Sequence, residues 1–447
     1  MSNGFRDGLE ALIPAYLAAQ RWYAGAEPPD PNSVRVERGR ELWAGADDHR
    51  LWHATVAAGG THYQLLIGER PAGERAEFLH GREAAILGSV DSAVFYDAVL
   101  DTELARVLLH VASDGEQSAA RARPMNSEQS NTSLVFDDRL ILKVYRRLHE
   151  GRNPDVEVTT ALAAAGFGHV ALPLVTWRED PYDLAFGQQF LNGGSEGWAL
   201  ALTSLRDLYN SACEDPAQAG GDFANDARRL GRMTAEMHQA LAATFGVVRG
   251  PAVGAAWDAL LERTVARLIT ASDSAGRDLL ARSALLLARL RAVADPGPAI
   301  RVHGDYHLGQ VMETDGGWYV LDFEGEPSKS LSERTALTPS LKDVSSMLRS
   351  LDYASRYVLT ERAASEMAQL VPLARAWYAH NRQAFLEGYL DVDGIRDLLP
   401  GPDSAPAVLF AFELDKALYE LDYERAHRPD WMPVPLGAIG QLLDGSE

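Results

Sequence analysis

His303-Gly-Asp-Tyr-His-Leu-Gly-Gln310 and Leu321-Asp-Phe-Glu324 decide how this chain reads. Val311-Met312 and Trp318-Tyr-Val-Leu321 have strand character and flank the turn Asp315-Gly-Gly317. A hairpin of that kind holds one aspartate, Asp305, on a loop beside a second, Asp322, on the next. Such a pair suits phosphoryl transfer. One carboxylate orients and deprotonates a hydroxyl, and the other holds the metal of a nucleotide. Asp305 is the expected base. Gln310, Asp322 and Glu324 offer oxygen ligands only, which fits Mg²⁺. The His303-x-Asp-x-His307 spacing also admits a zinc reading, but no further ligand stands at metal spacing.

Upstream, Ser133-Leu-Val-Phe136 and Leu140-Ile-Leu-Lys-Val-Tyr145 read as two strands joined at Asp137-Asp-Arg139. Lys143 interrupts an apolar strand, and phosphate oxygens would give it a reason to point inward. Glu157, on the helix expected over 155–165, is placed to pair with it. The polar turn Asn126–Ser133 includes Ser130, Asn131 and Thr132, whose hydroxyl and amide groups can cradle phosphates. Gln188 and Phe190 leave the last strand of this block, where backbone groups can meet an adenine edge. Asn192-Gly-Gly-Ser195 then reads as a hinge. Beyond residue 198, helical periodicity covers 224–245, 255–269, 275–294, 340–357, 361–389 and 405–427.

Charges crowd the last of these helices. At 100° per residue, Glu413, Lys416, Glu420, Glu424 and His427 fall on one stripe, and Leu414, Leu418 and Leu421 on a core-facing neighbour. The stripe is either a solvated face, supported by Lys416–Glu420, or the wall of a substrate cleft with Trp431 as its flat apolar side. Asp343 opens a helix and is expected to cap it or brace the loop of Asp305.

Bulk properties set bounds. A chain of 447 residues is expected to form two or three domains. A net charge of −21 argues against a nucleic-acid or anionic-membrane surface. The single cysteine, Cys213, excludes an internal disulfide framework. No run of about 18 apolar residues is present, and the N-terminus has no signal pattern. A cytoplasmic protein with no predicted protein partner is expected.

Taken together, the motifs resemble the actinobacterial maltokinase-like and glucosamine kinases, within the aminoglycoside-phosphotransferase-like group. Gln20-Arg-Trp-Tyr-Ala-Gly25 is similar to the N-terminal cap signature. Gln129-Ser-Asn-Thr-Ser133, Ile141-Leu-Lys143 and Gly151-Arg-Asn-Pro-Asp155 are similar to small-lobe segments. His303-Gly-Asp305, Asp322-Phe-Glu-Gly-Glu-Pro327, Leu348-Arg-Ser-Leu-Asp-Tyr353, Leu414-Asp-Lys-Ala-Leu-Tyr-Glu420 and His427-Arg-Pro429 are similar to the large lobe. The resemblance implies an α+β, bilobal, protein-kinase-like fold: an N-terminal cap (1–90), a mixed β-sheet nucleotide lobe with hinge (91–195) and a mostly helical lobe (196–447). It implies ATP and Mg²⁺ as cofactors and a small-molecule sugar as substrate. The family includes maltokinases and glucosamine kinases. Glu420-Leu-Asp-Tyr-Glu424, with Glu413 and Trp431, favours glucosamine, because carboxylates reward its ammonium group. Maltose and aminoglycosides remain the alternatives.

Overall fold

The computed structural model describes residues 3–25, 27–74, 76–125, 130–211, 213–275, 279–327 and 329–444. The chain divides into two compact units, one of residues 1–160 and 171–192, the other of 161–170 and 193–447.

In the first unit, α1 (Asn3–Ala18) precedes an antiparallel sheet. Its strands are β1 (Arg35–Ala44), β2 (Arg50–Ala58), β3 (Thr61–Pro71), β4 (Ile86–Val90) and β5 (Ala93–Asp97), in the order β1-β2-β3-β5-β4. Alternation sorts β3 between two cores. Tyr63, Leu65 and Ile67 pack with Leu9, Ile13 and Leu17 of α1. Leu66 packs on the other face, with Leu104 and Leu108 of α2 (Thr102–Ala112). Asp101 caps α2 by accepting from the Glu103 and Leu104 amides.

That second core is shared with a further antiparallel sheet. It contains β6 (Ala122–Pro124), β7 (Asn131–Phe136), β8 (Leu140–Tyr145), β10 (Pro173–Glu179) and β11 (Tyr182–Gln189), in the order β10-β11-β8-β7-β6. The short β9 (Arg147–Leu148) returns to pair with β3, and α3 (Pro154–Ala164) follows. The β7–β8 hairpin forms as expected. Asp137 and Asp138 both take left-handed φ, 49° and 52°, and the Arg139 amide closes on Phe136 O. Every ladder between strands is antiparallel, and the parallel component in this unit is the isolated bridge Gly151–Tyr182.

The two sheets are tied by buried polar bonds. Gln64 of β3 donates to Tyr145 O at 3.0 Å and Leu184 O at 2.9 Å. Asp97, at the end of β5, accepts from Tyr16 Oη at 2.9 Å and Arg146 Nη2 at 2.7 Å. The boundary expected at residue 90 therefore falls inside the β4–β5 hairpin, because β5 completes the first sheet through β3.

The second unit carries two three-stranded sheets and a helical body. The strands are β12 (Ser195–Glu196), β13 (Val247–Val248), β14 (Ala299–Ile300), β15 (Val311–Thr314), β16 (Gly317–Val320) and β17 (Thr338–Pro339). The helices are α4 (Gly197–Asn210), α5 (Ala224–Phe245), α6 (Pro251–Ala275), α7 (Leu279–Arg291), α8 (Leu331–Thr335), α9 (Leu341–Thr360), α10 (Met367–Leu390), α11 (Ala405–His427) and α12 (Pro433–Asp444). Residues 161–170 belong here rather than with the strands around them: Val170 bridges Val320, and the Val320 amide donates to His169 O. α5 crosses α10 at very short range. A Cβ on Gly231 would stand 2.0 Å from Phe385 O, and one on Gly388 2.0 Å from Arg228 O. Only glycine allows backbones that close. Among the described residues no helix is long and apolar enough to cross a membrane.

Candidate active site

The β15–β16 hairpin forms as its sequence predicts, with Val311 opposite Val320 and Met312 opposite Tyr319. It holds the loop of Asp305 against that of Asp322. His303 joins the two: its Nε2 donates to Leu321 O at 2.9 Å, and its Nδ1 accepts the Asp305 amide at 3.3 Å. Those partners assign the Nε2–H tautomer. With both ring nitrogens used, His303 orients the loop and has none left for zinc.

Asp343 sits behind this loop. Its carboxylate accepts the His303 amide at 2.7 Å and the Gly304 amide at 3.0 Å. His238 Nε2 lies 3.2 Å from it, and His238 Nδ1 meets Tyr389 Oη. Burial alone would raise the Asp343 pKa; the His238 contact and the loop amides outweigh it and hold the group below its usual value. Asp343 therefore braces the loop.

Asp305 is half-buried and meets Lys416 of α11, with Nζ to Oδ1 at 3.4 Å. The same Nζ reaches Glu326 Oε1 at 3.1 Å, and Lys329 pairs with Glu326 as well. Burial opposes ionisation of Glu326, but these lysines prevail and bring its pKa down to about 2. Burial likewise works against the Lys416 charge, and Asp305 and Glu326 more than restore it. Sequence reasoning left out Glu326 and gave Lys416 only a place on a stripe. The signal was present: the Asp322–Pro327 motif contains Glu326.

Asp322 takes a left-handed φ of 58°, a conformation aspartate tolerates better than most residues. The Glu324 amide donates to its Oδ1 at 3.4 Å. Gln310 is fixed through its backbone, between His307 O and the Leu321 amide, and its side chain is half-buried.

The charged stripe of α11 divides. Glu413 departs from the expectation: 2% exposed, it is gripped by Arg382 at 2.7 and 3.3 Å and lines a separate cavity that none of Asp305, Glu326 and Lys416 lines. Glu420 accepts Arg349 Nη2 at 2.7 Å through Oε2 alone. Its Oε1 has no hydrogen-bond partner among the described residues, which leaves an acceptor one helical turn from Lys416. Glu424 is buried and takes Tyr353 Oη at 2.8 Å and two bonds from Arg428. Trp431 stacks on Tyr357, with ring centroids 5.2 Å apart, and Trp198 packs against both Tyr353 and Tyr357. His427 stacks on the exposed Tyr423, with ring centroids 4.4 Å apart.

In the first unit, Lys143 pairs with Asp155 at 3.5 Å, in the first turn of α3. Sequence reasoning gave Asp155 no role; Glu157 stands two residues further along the helix. Asn131 is buried and Ser130 half-buried. Thr132 Oγ1 accepts Arg146 Nε at 2.8 Å, so its hydroxyl is anchored to the Asp97 cluster. Residues 126–129 of the expected phosphate turn lie outside the described residues. The backbone of Phe190, expected to meet adenine, is partly engaged within the protein. Its amide donates to Arg139 O at 2.8 Å and its carbonyl accepts the Asn192 amide at 3.0 Å, leaving no free N–H. Gln189 N–H is likewise spent, on Leu172 O. Gln188 lies in β11 opposite Ile141.

Comparison with known proteins bears on this geometry. The profile described as the phosphotransferase enzyme family matches residues 121–377. The chain belongs to that family. Residues 16–101 match a maltokinase N-terminal cap domain. A glucosamine kinase of Mycolicibacterium smegmatis is 31% identical over 343 residues, 73% of this chain and 81% of that protein. One of Streptacidiphilus jiangxiensis is 31% identical over 341 residues, 71% of this chain and 72% of the relative. A solved glucosamine kinase in complex with glucosamine, ADP and inorganic phosphate aligns with a TM-score of 0.69 at 25% identity, covering 99% of this chain and 100% of that one. The phosphotransferase therefore has the kinase-like α+β fold expected of its motifs.

Proposed function

We propose that this phosphotransferase is an ATP- and Mg²⁺-dependent glucosamine kinase, converting glucosamine and ATP to glucosamine 6-phosphate and ADP. The observation that carries this reading is the likeness to glucosamine kinases over more than two thirds of the chain. The α11 wall agrees with it. From Asp305 the line runs through Lys416 to Glu420, whose open oxygen suits an ammonium or hydroxyl donor, and on to Glu424 and the Trp431 platform.

Asp305 takes the proton of the sugar hydroxyl and aims its oxygen at the γ-phosphorus. Lys416 holds Asp305 in place and balances its charge until substrate enters. Lys143, steadied by Asp155, meets phosphate oxygens as a compact point charge. The side-chain oxygens of Gln310, Asp322 and Glu324 would hold Mg²⁺; an oxygen-only donor set is what that ion takes. When bound, it neutralises charge on the transferring phosphoryl group. The reading gives the cap and the nucleotide side to residues 1–160 and 171–192, and the acceptor side to 161–170 and 193–447. The reading includes a cytoplasmic location.

A coupled ADP-release assay tests the proposal, with glucosamine, N-acetylglucosamine, maltose, glucose and kanamycin in parallel. Glucosamine is expected to exceed every other acceptor at least about tenfold in kcat/KM, about 1.4 kcal/mol of discrimination. EDTA is expected to abolish turnover. Preference for maltose would replace this reading with that of a maltokinase, which the cap match supports only in part.

A further inference from the structure

A cavity of about 760 Å³ opens among α9, α10, α11, α12 and the loop before α11. Its size is that of a small-molecule site, about 300–1,000 Å³. It is not the acceptor site, since none of Asp305, Lys416 and Glu420 lines it. Packed helices normally close such a space with aliphatic side chains. Here Leu386, Leu390, Leu399, Leu409 and Phe410 are part of a mostly uncharged lining that four arginines and two carboxylates interrupt.

Those charges do not balance. Arg349, Arg356, Arg382 and Arg396 stand against two lining carboxylates, Asp352 and Glu413, and Arg349 reaches a third, Glu420, outside the lining. Arg382 is taken by Glu413, and Arg356 shares Asp352 with Arg349 through Nε and gives Nη2 to Gln441 at 2.7 Å, which leaves its Nη1. Arg396, at the exposed edge, makes no ion pair among the described residues. Arg349 braces the lining from behind and is spent within the protein. It is 2% exposed, with Nη1 on Asp352 and Nη2 on Glu420. The lining therefore keeps donors of Arg356 and Arg396 open beside apolar walls of ligand size.

We propose that this cavity binds a small organic carboxylate with an apolar chain, of the medium-chain fatty acid class. The carboxylate lies on Arg356 and Arg396, whose remaining N–H groups are its donors. The chain runs along Leu386, Leu390 and Leu409. Fork-shaped guanidinium groups suit the two oxygens of a carboxylate, and the aliphatic walls exclude water from the chain.

Titration calorimetry on the full chain tests this, with octanoate as the probe and 1-octanol as its uncharged counterpart. Octanoate is expected to bind at one saturable site, unaffected by saturating ADP, and 1-octanol at least tenfold more weakly. Leu409→Trp, which fills the cavity, is expected to weaken octanoate at least tenfold. Arg356→Gln is expected to weaken it at least fivefold while leaving 1-octanol unchanged. Absence of saturable binding, equal affinity for the two probes, displacement by ADP, or wild-type affinity in either variant would overturn the proposal. Should Leu409→Trp fold poorly, Arg356→Gln and the comparison of the two probes decide it.

Discussion

Helix α11 holds carboxylates in two different ways. Glu413 and Glu420 are clamped by Arg382 and Arg349 at 2.7 Å, in places where the arginines have further fixed partners. Asp305 and Glu326 instead share the single ammonium of Lys416, at 3.4 and 3.1 Å. An arginine fork fixes geometry, whereas a lysine is a point charge on a flexible stem. Structure is held where the contact is rigid and directional. The group assigned to chemistry is held where its partner can shift as a substrate arrives. The first unit repeats the contrast within one stretch of chain. Arg146 is sealed between Asp97, Thr132 and the Trp22 ring, while Lys143, three residues earlier, reaches Asp155 at a loose 3.5 Å.

The largest effect should come from the loosely held group. Asp305→Asn is expected to lower kcat by about 10³-fold while ADP affinity, measured by calorimetry, changes less than about threefold. Near-normal turnover would mean that the contrast marks no catalytic group. Arg382→Met breaks a clamp and strands Glu413 in the interior. Chemical denaturation should show a loss of about 3–5 kcal/mol, and a loss under about 1 kcal/mol would put Glu413 on the loose side of the comparison.

Acid should act on Lys416's partner. Folding lowers the Glu326 pKa from its ordinary value to about 2. Its contribution is complete above about pH 4.5 and is lost as pH falls toward 2. For a side chain only 6% exposed, a pKa lowered that far corresponds to about 3 kcal/mol of stability. Glu326→Gln should therefore flatten the dependence of unfolding free energy on pH between about 4.5 and 2, and an unchanged slope would remove Glu326 from the ionised cluster. The smallest effect belongs to a clamp at the surface. Arg206 meets Glu361 at 2.7 and 3.0 Å, but both side chains are more than a third solvated. Arg206→Gln should cost under about 1 kcal/mol, so good arginine geometry without burial should contribute little.

Much of this protein was legible along the chain, and for local reasons. Helix α5 spans Ala224–Phe245 and α11 Ala405–His427, where their periodicity placed them. The β7–β8 and β15–β16 hairpins formed around the turn residues that announced them. Strand β4 was missed because Ile86–Val90 contains glycine and serine and is completed by pairing with β5. Helix α12 was missed behind Pro433 and Pro435, prolines a first turn accommodates. The two Asp-bearing loops could be read because neighbouring residues build them. The fate of the charged stripe could not, because periodicity says which side chains share a face and is silent on what lies opposite.

The sequence by itself determined the positions of Lys143, Asp305 and Asp322, the hairpin between the last two, and membership of a phosphotransferase family. Those rest on backbone preferences and short spacings, which act over a few residues. Only the tertiary structure decided that Lys416 would meet Asp305, that Arg349 would take Glu420, and that Glu413 would turn into a separate cavity. Each partner stands between about 30 and 110 residues away along the chain. A charge is neutralised by whatever group folding brings within a few ångströms, and no local pattern encodes which one that will be.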